Sequence, residues 1–305
     1  MYDLIIIGGG VAGISSGIYA GRKKLKTLLI YKKLGGQSAS TSEIQNWPGI
    51  KSILGLDFSQ NLYEHLNQYD VELKENDEVS EIEKKETFFI VKTTSEESLE
   101  CKTIIIAAGK TPRKLKVQNS DKFEGKGIAY CSICDAPLYT GKEVAVVGGG
   151  NSGLEAVLDL QKYATKVHLL ESTGKLNGDS VLIDKIKNYT KVEFHLNTEI
   201  IKLDGTNWLE NLTYAEKSNG KIENTINVQG IFVEIGYEPA TDFVKKLVKL
   251  NQRNEITVNA MTGATSEDGI FAAGDITDNL YKQIVIAAGE GAKAALSAEK
   301  YINHN

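Results

Sequence analysis

Cys131 and Cys134, two residues apart and followed at once by Asp135, are the side chains in this sequence best suited to chemistry. Such a pair can close a small disulfide ring, and either sulfur can become an activated thiolate. A short step on, an apolar run at 144–147 leads into Gly148, Gly149, Gly150, Asn151, Ser152 and Gly153. That glycine spacing lets a backbone approach a pyrophosphate. A dithiol beside a dinucleotide turn points to electrons passing between a soluble cofactor and a disulfide. The competing reading of the pair is half of a zinc site. A structural zinc takes about four ligands, no second C-x-x-C exists, and His65, His168, His195 and His304 are scattered without ligand spacing. Redox is therefore the expected role, and no metal is expected. Asp135 reads either as a general acid for the leaving thiolate or as a helix cap ahead of Ala136 and Pro137. Cys101, alone beside an apolar run, reads as a small core residue.

The elements that must position the pair form a repeated pattern. Residues 2–7 are an apolar, β-branched run ending in Gly8, Gly9, Gly10, Val11, Ala12 and Gly13. Small and apolar residues continue at helical spacing to Ala20, and 27–31 reads as a second strand. Strand, glycine turn, helix, strand is the unit that binds dinucleotides: the first glycine allows the tight turn, the second clears the phosphates, and the third lets helix and strand close up. The acid expected at the end of the second strand is missing; Tyr31, Lys32 and Lys33 stand there. The adenosine ribose must then be held another way, by backbone for example. The layout recurs from 144, with a helix at 154–160 and a strand at 167–170. Each copy closes on a strand followed by Gly-x-x-Pro, Gly109 to Pro112 in one and Gly236 to Pro239 in the other. A whole domain is duplicated. The tail beyond 239 is too short for a third copy, and its strand ends in Gly274-Asp275 before an Ala-rich helix. The expected architecture is α/β, with two Rossmann-like dinucleotide-binding domains of three-layer ββα form. The first comprises 1–112 and 240–305, and the second, 113–239, is inserted in it.

Composition narrows the partners. Three hundred and five residues allow two ordinary domains. The net charge of −5, without long single-sign blocks, favours neither nucleic acid nor an anionic membrane. No apolar run approaches the roughly 18 residues of a membrane span, and Asp3 stands where a leader would be basic. A cytoplasmic protein is expected.

Taken in order, Gly35-Gly36-Gln37, Glu43 to Gly49 (E-I-Q-N-W-P-G), C-S-I-C-D at 131–135, G-G-G-N-S-G at 148–153 and F-A-A-G-D at 271–275 give the chain a family resemblance. It resembles the low-molecular-weight thioredoxin reductases over nearly its full length. The runs V-G-G-G-N-S-G-L-E-A and Y-K-Q-I-V-I-A-A-G-E-G-A-K-A-A-L-S-A are similar to the branch that includes the flavoprotein module of alkyl hydroperoxide reductase. The resemblance implies FAD on the first domain and tail, a pyridine nucleotide on the inserted domain, and a homodimer. Gly8, Gly10 and Gly13 would hold the FAD pyrophosphate. Gly36, Gln37 and Asn46 would lie near the flavin, although plain loop chemistry also explains Gln37 and Asn46. Gly274, Asp275 and Gln283 would follow its ribityl chain and ring. Gly148, Gly150, Asn151, Ser152 and Gly153 would hold the nicotinamide cofactor. In such enzymes a hydride passes from the nicotinamide to FAD, two electrons pass on to the disulfide, and the dithiol reduces a partner by exchange. The inserted domain would rotate about the two crossovers so that nicotinamide and disulfide face the flavin in turn. Cys134 is favoured over Cys131 as the flavin-facing sulfur.

The second fingerprint carries the acid that the first lacks. Glu171 follows its second strand, 18 residues after Gly153. A carboxylate there accepts from a ribose 2′-hydroxyl and repels a 2′-phosphate. Relatives that use NADPH place arginines where Glu171, Ser172, Thr173 and Asn177 stand here. Only three arginines occur, and none lies between Lys114 and Gln252, which removes the bidentate phosphate clamp; Lys175 offers only a point charge. NADH rather than NADPH is expected. The partner would be a thioredoxin- or glutaredoxin-like protein. The alternatives are an NADH-dependent reductase serving a peroxiredoxin system through a separate relay protein, because the chain starts directly at the first glycine-turn strand, and a nucleotide sensor with a vestigial disulfide.

Overall fold

The computed structural model describes residues 1–41, 43–217 and 222–304. The chain forms two compact units, Met1–Thr111 with Glu238–Asn305, and Pro112–Tyr237. The first is built on a seven-stranded sheet. Tyr2–Ile7 lies between Thr27–Tyr31 and Ser98–Ile106, all parallel, and Ile270–Ala272 adds to Ser98–Ile106 in parallel. The start of Ser98–Ile106 also pairs antiparallel with Phe89–Thr93, which pairs with Val79–Lys84. One long strand thus belongs both to the parallel sheet and to a three-stranded meander.

Leu4 to Ile7, Leu28 to Ile30 and Ile104 to Ile106 are apolar at successive positions because both faces of the sheet are covered there. Leu4 and Ile6 enter one core with helix residues Ile14, Ile18, Ala294 and Ala298, while Ile5 and Ile7 enter another with Ile104, Ile106 and Val244. Full burial of one such side chain contributes about 1.5–3 kcal/mol. The strand Val71–Glu75 extends the sheet beyond Thr27–Tyr31. Val71 and Leu73 pack on the core and alternate with Glu72 and Lys74, and the partial burial is that of an edge strand; two apolar positions are too few to mark a strand in the sequence.

The second unit repeats the scheme. Its parallel sheet runs Ile128–Ala129, Gly230–Val233, Glu143–Val147, Lys166–Glu171, Val192–Leu196. A separate antiparallel sheet follows, of Thr198–Asp204, Asn211–Glu216 and Glu223–Asn227. Val144 and Val146 face one core, Ala145 and Val147 the other. Among the described residues, no helix is long and apolar enough to cross a membrane.

In the first unit the C-terminal helix Ile284–Ile302 crosses the helix Val11–Arg22 at backbone distance. Ser15 and Ser16 hydroxyls donate to the Ala288 and Gly291 carbonyls at 2.7 and 3.0 Å. A Cβ on Gly291 would fall 2.1 Å from the Ala12 carbonyl oxygen, whereas one on Gly289 meets nothing within 4 Å. Gly291→Ala is therefore expected to cost about 1–3 kcal/mol or more through overpacking. Gly289→Ala should be neutral or stabilise by up to about 1 kcal/mol through helix propensity. Urea denaturation of the two variants side by side checks the contrast; equal effects would disprove the close crossing.

Candidate active site

Each unit holds one glycine turn, and the two turns share a geometry. In the first unit the Gly8 N–H donates to the Ile30 carbonyl at 2.8 Å. Its φ is +114°, and a Cβ there would lie 2.3 Å from the Ala107 oxygen. A Cβ on Gly13 would lie 1.8 Å from the Gly8 oxygen, so the helix sits directly on the turn. Around Gly10 nothing lies within 4 Å. No side chain caps the helix Val11–Arg22, and no acid occupies its first turn. In the second unit Gly148 has φ +115°, and a Cβ on Gly153 would again lie 1.8 Å from the Gly148 oxygen. Gly150 is open and the helix Asn151–Leu160 is uncapped. Two bare helix N-termini facing open space are anion cradles, with unpaired amides and a positive dipole end.

At the second cradle Asn151 grips Asp179 twice, its Oδ1 accepting from the Asp179 N–H at 2.7 Å and its Nδ2 donating to the carboxylate at 3.0 Å. Ser152 is exposed beside it. Glu171 is 8 % exposed. One carboxylate oxygen accepts from the Gly149 N–H at 2.6 Å, the other from the Thr173 N–H and hydroxyl at 2.8 and 2.9 Å. Burial raises the Glu171 carboxyl, but these donors outweigh it and hold it below the usual carboxylate range. Glu171 therefore stays ionised and pins the glycine turn, with Oε2 able to accept one further bond.

The first unit gathers the remaining expected cofactor residues unevenly. Asn46 Nδ2 donates to Gln283 Oε1 at 3.0 Å. Both line a cavity of about 360 Å³ with Thr41, Glu43 and Lys282. Ile44 is buried, and Trp47 sets its ring edge on Phe58 at 4.9 Å, which fixes the loop that carries Asn46. Gln37 instead donates to the Lys110 carbonyl at 3.0 Å. Gly36, at φ +56°, comes so near the first turn that a Cβ would lie 3.2 Å from Gly10 Cα. Gly274, at φ +79°, donates its N–H to the buried Glu290 at 2.7 Å, which orients the turn into Asp275. The residues alone give no signal for Glu290, a lone acid in an Ala-rich helix. Nor do they for Glu75, which stands opposite Tyr31 in the strand register and accepts the Tyr31 hydroxyl at 2.7 Å. Glu75 and Tyr31 line a second cavity of about 310 Å³ with Lys32, Lys33 and Tyr63. An acid thus reaches the end of Thr27–Tyr31 from the neighbouring strand.

Cys131 and Cys134 form a disulfide, with Cα atoms 5.4 Å apart. Cys131 is the N-cap of the short helix Ser132–Asp135, and its sulfur accepts the Cys134 N–H at 3.3 Å. Cys134 is the more exposed of the two. The Ser132 hydroxyl donates to Asp159 at 3.1 Å and ties the pair to the second cradle's helix. Asp135 makes no side-chain cap to the turn Ala136–Tyr139, so the capping role does not hold. Cys101 is fully buried, and burial pushes its thiol up to about 12.

Residues 2–291 match the family model described as pyridine nucleotide-disulphide oxidoreductase. The chain belongs to that family. Its relatives include a protein of the alkyl hydroperoxide reductase of Staphylococcus epidermidis, 40% identical over 304 residues. That match covers 100% of this chain and 60% of the relative, so the chain spans about three fifths of the length of the curated relatives it matches. Among solved structures it is similar to the thioredoxin reductase of Lactococcus lactis, with TM-score 0.88, 29% identity and complete coverage of both chains. The T. acidophilum thioredoxin reductase gives TM-score 0.84 at 32% identity, covering 99% of this chain and 98% of that one. Both support the expected pair of Rossmann-type domains.

The chain has the disulfide that the family's description names, and the description's pyridine nucleotide is a dinucleotide. Its two cradles fit two such groups: each has an open central glycine under a bare helix terminus, between flanking glycines at which a Cβ would clash. Beside the second cradle lies Glu234, whose carbonyl abuts Gly148. Burial, with the charge of Glu155, pushes its carboxyl up to about 7. An unfolded Glu ionises near 4.3, so folding takes up a proton between that value and about 7, and stability falls as pH rises through this window. Glu234→Gln should leave Tm nearly unchanged at about pH 4 and raise it over the parent at about pH 8. A difference independent of pH in thermal scans would refute the raised carboxyl.

Proposed function

We propose that the chain moves electrons from NADH through FAD and the Cys131–Cys134 disulfide to the disulfide of a thioredoxin- or glutaredoxin-like protein. In balance, NADH, a proton and a protein disulfide give NAD⁺ and a protein dithiol. The observation that carries the reading is the disulfide placed on the unit of the second cradle, tied to its helix through Ser132 and Asp159. When bound, FAD supplies a two-electron relay from the nicotinamide to the disulfide. Gly8, Gly10 and Gly13 would receive its pyrophosphate. Asn46 and Gln283 would lie beside the flavin with Gly36 and Gln37, Gly274 and Asp275 along the ribityl chain, and Glu75 in place of the missing ribose acid.

Gly148, Gly150, Asn151, Ser152 and Gly153 would hold NADH, with Glu171 accepting its 2′-hydroxyl. In the reduced pair the Cys134 N–H stabilises a Cys131 thiolate, a charge-assisted bond worth about 1.5–3 kcal/mol. This favours Cys131 as the sulfur that attacks the partner and leaves Cys134 to face the flavin, with Asp135 as the proton donor. The 40% identity to a hydroperoxide reductase protein supports a second reading, in which a relay protein serves a peroxiredoxin system. The exposed Leu56, Leu280 and Tyr281 on the first unit support a homodimer, and the acidic chain a cytoplasmic location.

Cys134→Ser should abolish NADH-dependent reduction of every thioredoxin-like partner while NADH still bleaches the flavin band. Retained turnover would sink the proposal, and failure of the parent with all partners would favour a sensor. With the parent enzyme, kcat/KM should be greater for NADH than for NADPH. Glu171→Ala should narrow that gap, by about tenfold for a lost charged hydrogen bond; a preference for NADPH would reject the cofactor assignment.

A further inference from the structure

His168 and His195 are 27 residues apart in the chain, and their sequence spacing carries no ligand motif. The fold brings together two of the four histidines that look scattered in the sequence. Lys166–Glu171 and Val192–Leu196 are adjacent parallel strands in which His168 stands opposite Glu193 and Leu170 opposite His195. Side chains two residues apart share a face, so His168, Glu193 and His195 converge. His168 Nδ1 lies 3.0 Å from His195 Nε2. Glu193 Oε2 lies 3.8 Å from the first nitrogen, and its Oε1 lies 3.8 Å from the second.

The geometry points to a binding site for one divalent ion of the zinc, cobalt and nickel class, held by His168 Nδ1, His195 Nε2 and Glu193. Two metal–imidazole bonds of about 2.0–2.1 Å separate their nitrogens by roughly 2.9–3.4 Å, which brackets the observed spacing. Two imidazoles and a carboxylate suit such ions, with open positions left for water.

The outward nitrogens supply an independent argument. His168 is 3 % exposed, and its Nε2 is the buried side-chain polar atom without a hydrogen-bond partner among the described residues. Without an ion, a hydrogen bond between the rings leaves Nε2 either as a bare lone pair or as an N–H 3.6 Å from Glu143, too far to bond well. With an ion on Nδ1, Nε2 must carry hydrogen and faces that carboxylate. An ion on His195 Nε2 makes Nδ1 the donor to the Tyr214 hydroxyl, 2.9 Å away. Metal-bound histidines characteristically direct their second nitrogen at such an acceptor. Lys166 is the competing cation: it pairs with Glu193 Oε2, which leaves Oε1 for the ion. Glu143 and Glu216 add negative charge around the rings and partly offset Lys166.

The test is calorimetric titration of zinc chloride into chelator-stripped, FAD-loaded protein with Cys131–Cys134 kept oxidised, so that the dithiol does not compete. One ion per chain should bind in the micromolar range. His195→Gln and the exposed Glu193→Gln should each weaken binding about tenfold or more, and Lys166→Gln should tighten it. Folding of each variant is checked by far-UV circular dichroism. Zinc should also raise the parent's Tm and not that of Glu193→Gln. Absence of a stoichiometric site, or equal affinity in parent and both ligand variants, would overturn the assignment.

Discussion

The contact on which the molecule depends is that between the third glycine of each turn and the carbonyl of the first. A methyl group on Gly13 or Gly153 would lie 1.8 Å from that oxygen, far inside van der Waals contact. Only a bare Cα lets the helix descend onto the turn. That descent aims the unpaired amides of the first helical turn past Gly10 and Gly150 into open space. The anion-binding field therefore comes from packing rather than from any charged side chain. The flanking sheets make the arrangement rigid, because Gly8 and Gly148 are wedged against the carbonyls of Ala107 and Glu234, each one residue beyond a neighbouring strand.

Around this shared frame the two units have acquired different electrostatics. In the second, the acid at the end of the strand is bonded to the glycine turn itself, so Glu171 fixes the loop and remains charged although buried. In the first, that strand ends in Tyr31, and its hydroxyl holds Glu75 from the next strand. The two solutions place a carboxylate near the same edge of the pattern by different routes. Glu290 plays for Gly274 the part that Glu171 plays for Gly149, with a buried carboxylate accepting a turn N–H.

The dithiol is placed with economy. A helix of four residues suffices to lay one backbone N–H on the Cys131 sulfur, and a single serine ties it to the next helix. By contrast Cys101, in the middle of a strand, has a thiol pushed far from ionisation by burial. The paired cysteines and the lone one differ in exposure and in one hydrogen bond.

Much of this was legible in the residues. Glycine spacing after apolar strands determines two turns of one geometry, because no other residue type permits the φ values of Gly8 and Gly148 and the contacts of Gly13 and Gly153. Cys131 and Cys134 determine a disulfide, being near enough in sequence to need no fold to bring them together. The absence of arginine from 114 to 252 is likewise a property of the sequence alone. What required the tertiary structure are pairs distant in the chain. Glu75 meets Tyr31, Glu290 meets Gly274, Asn46 meets Gln283, and His168 meets His195, each through strand register or helix packing. Short edge strands such as Val71–Glu75, with only Val71 and Leu73 apolar, alternate too briefly to be recognised locally, and their register follows from the sheet. Local chemistry is written in spacing; convergence of side chains depends on which strands lie adjacent, and only the folded chain decides that.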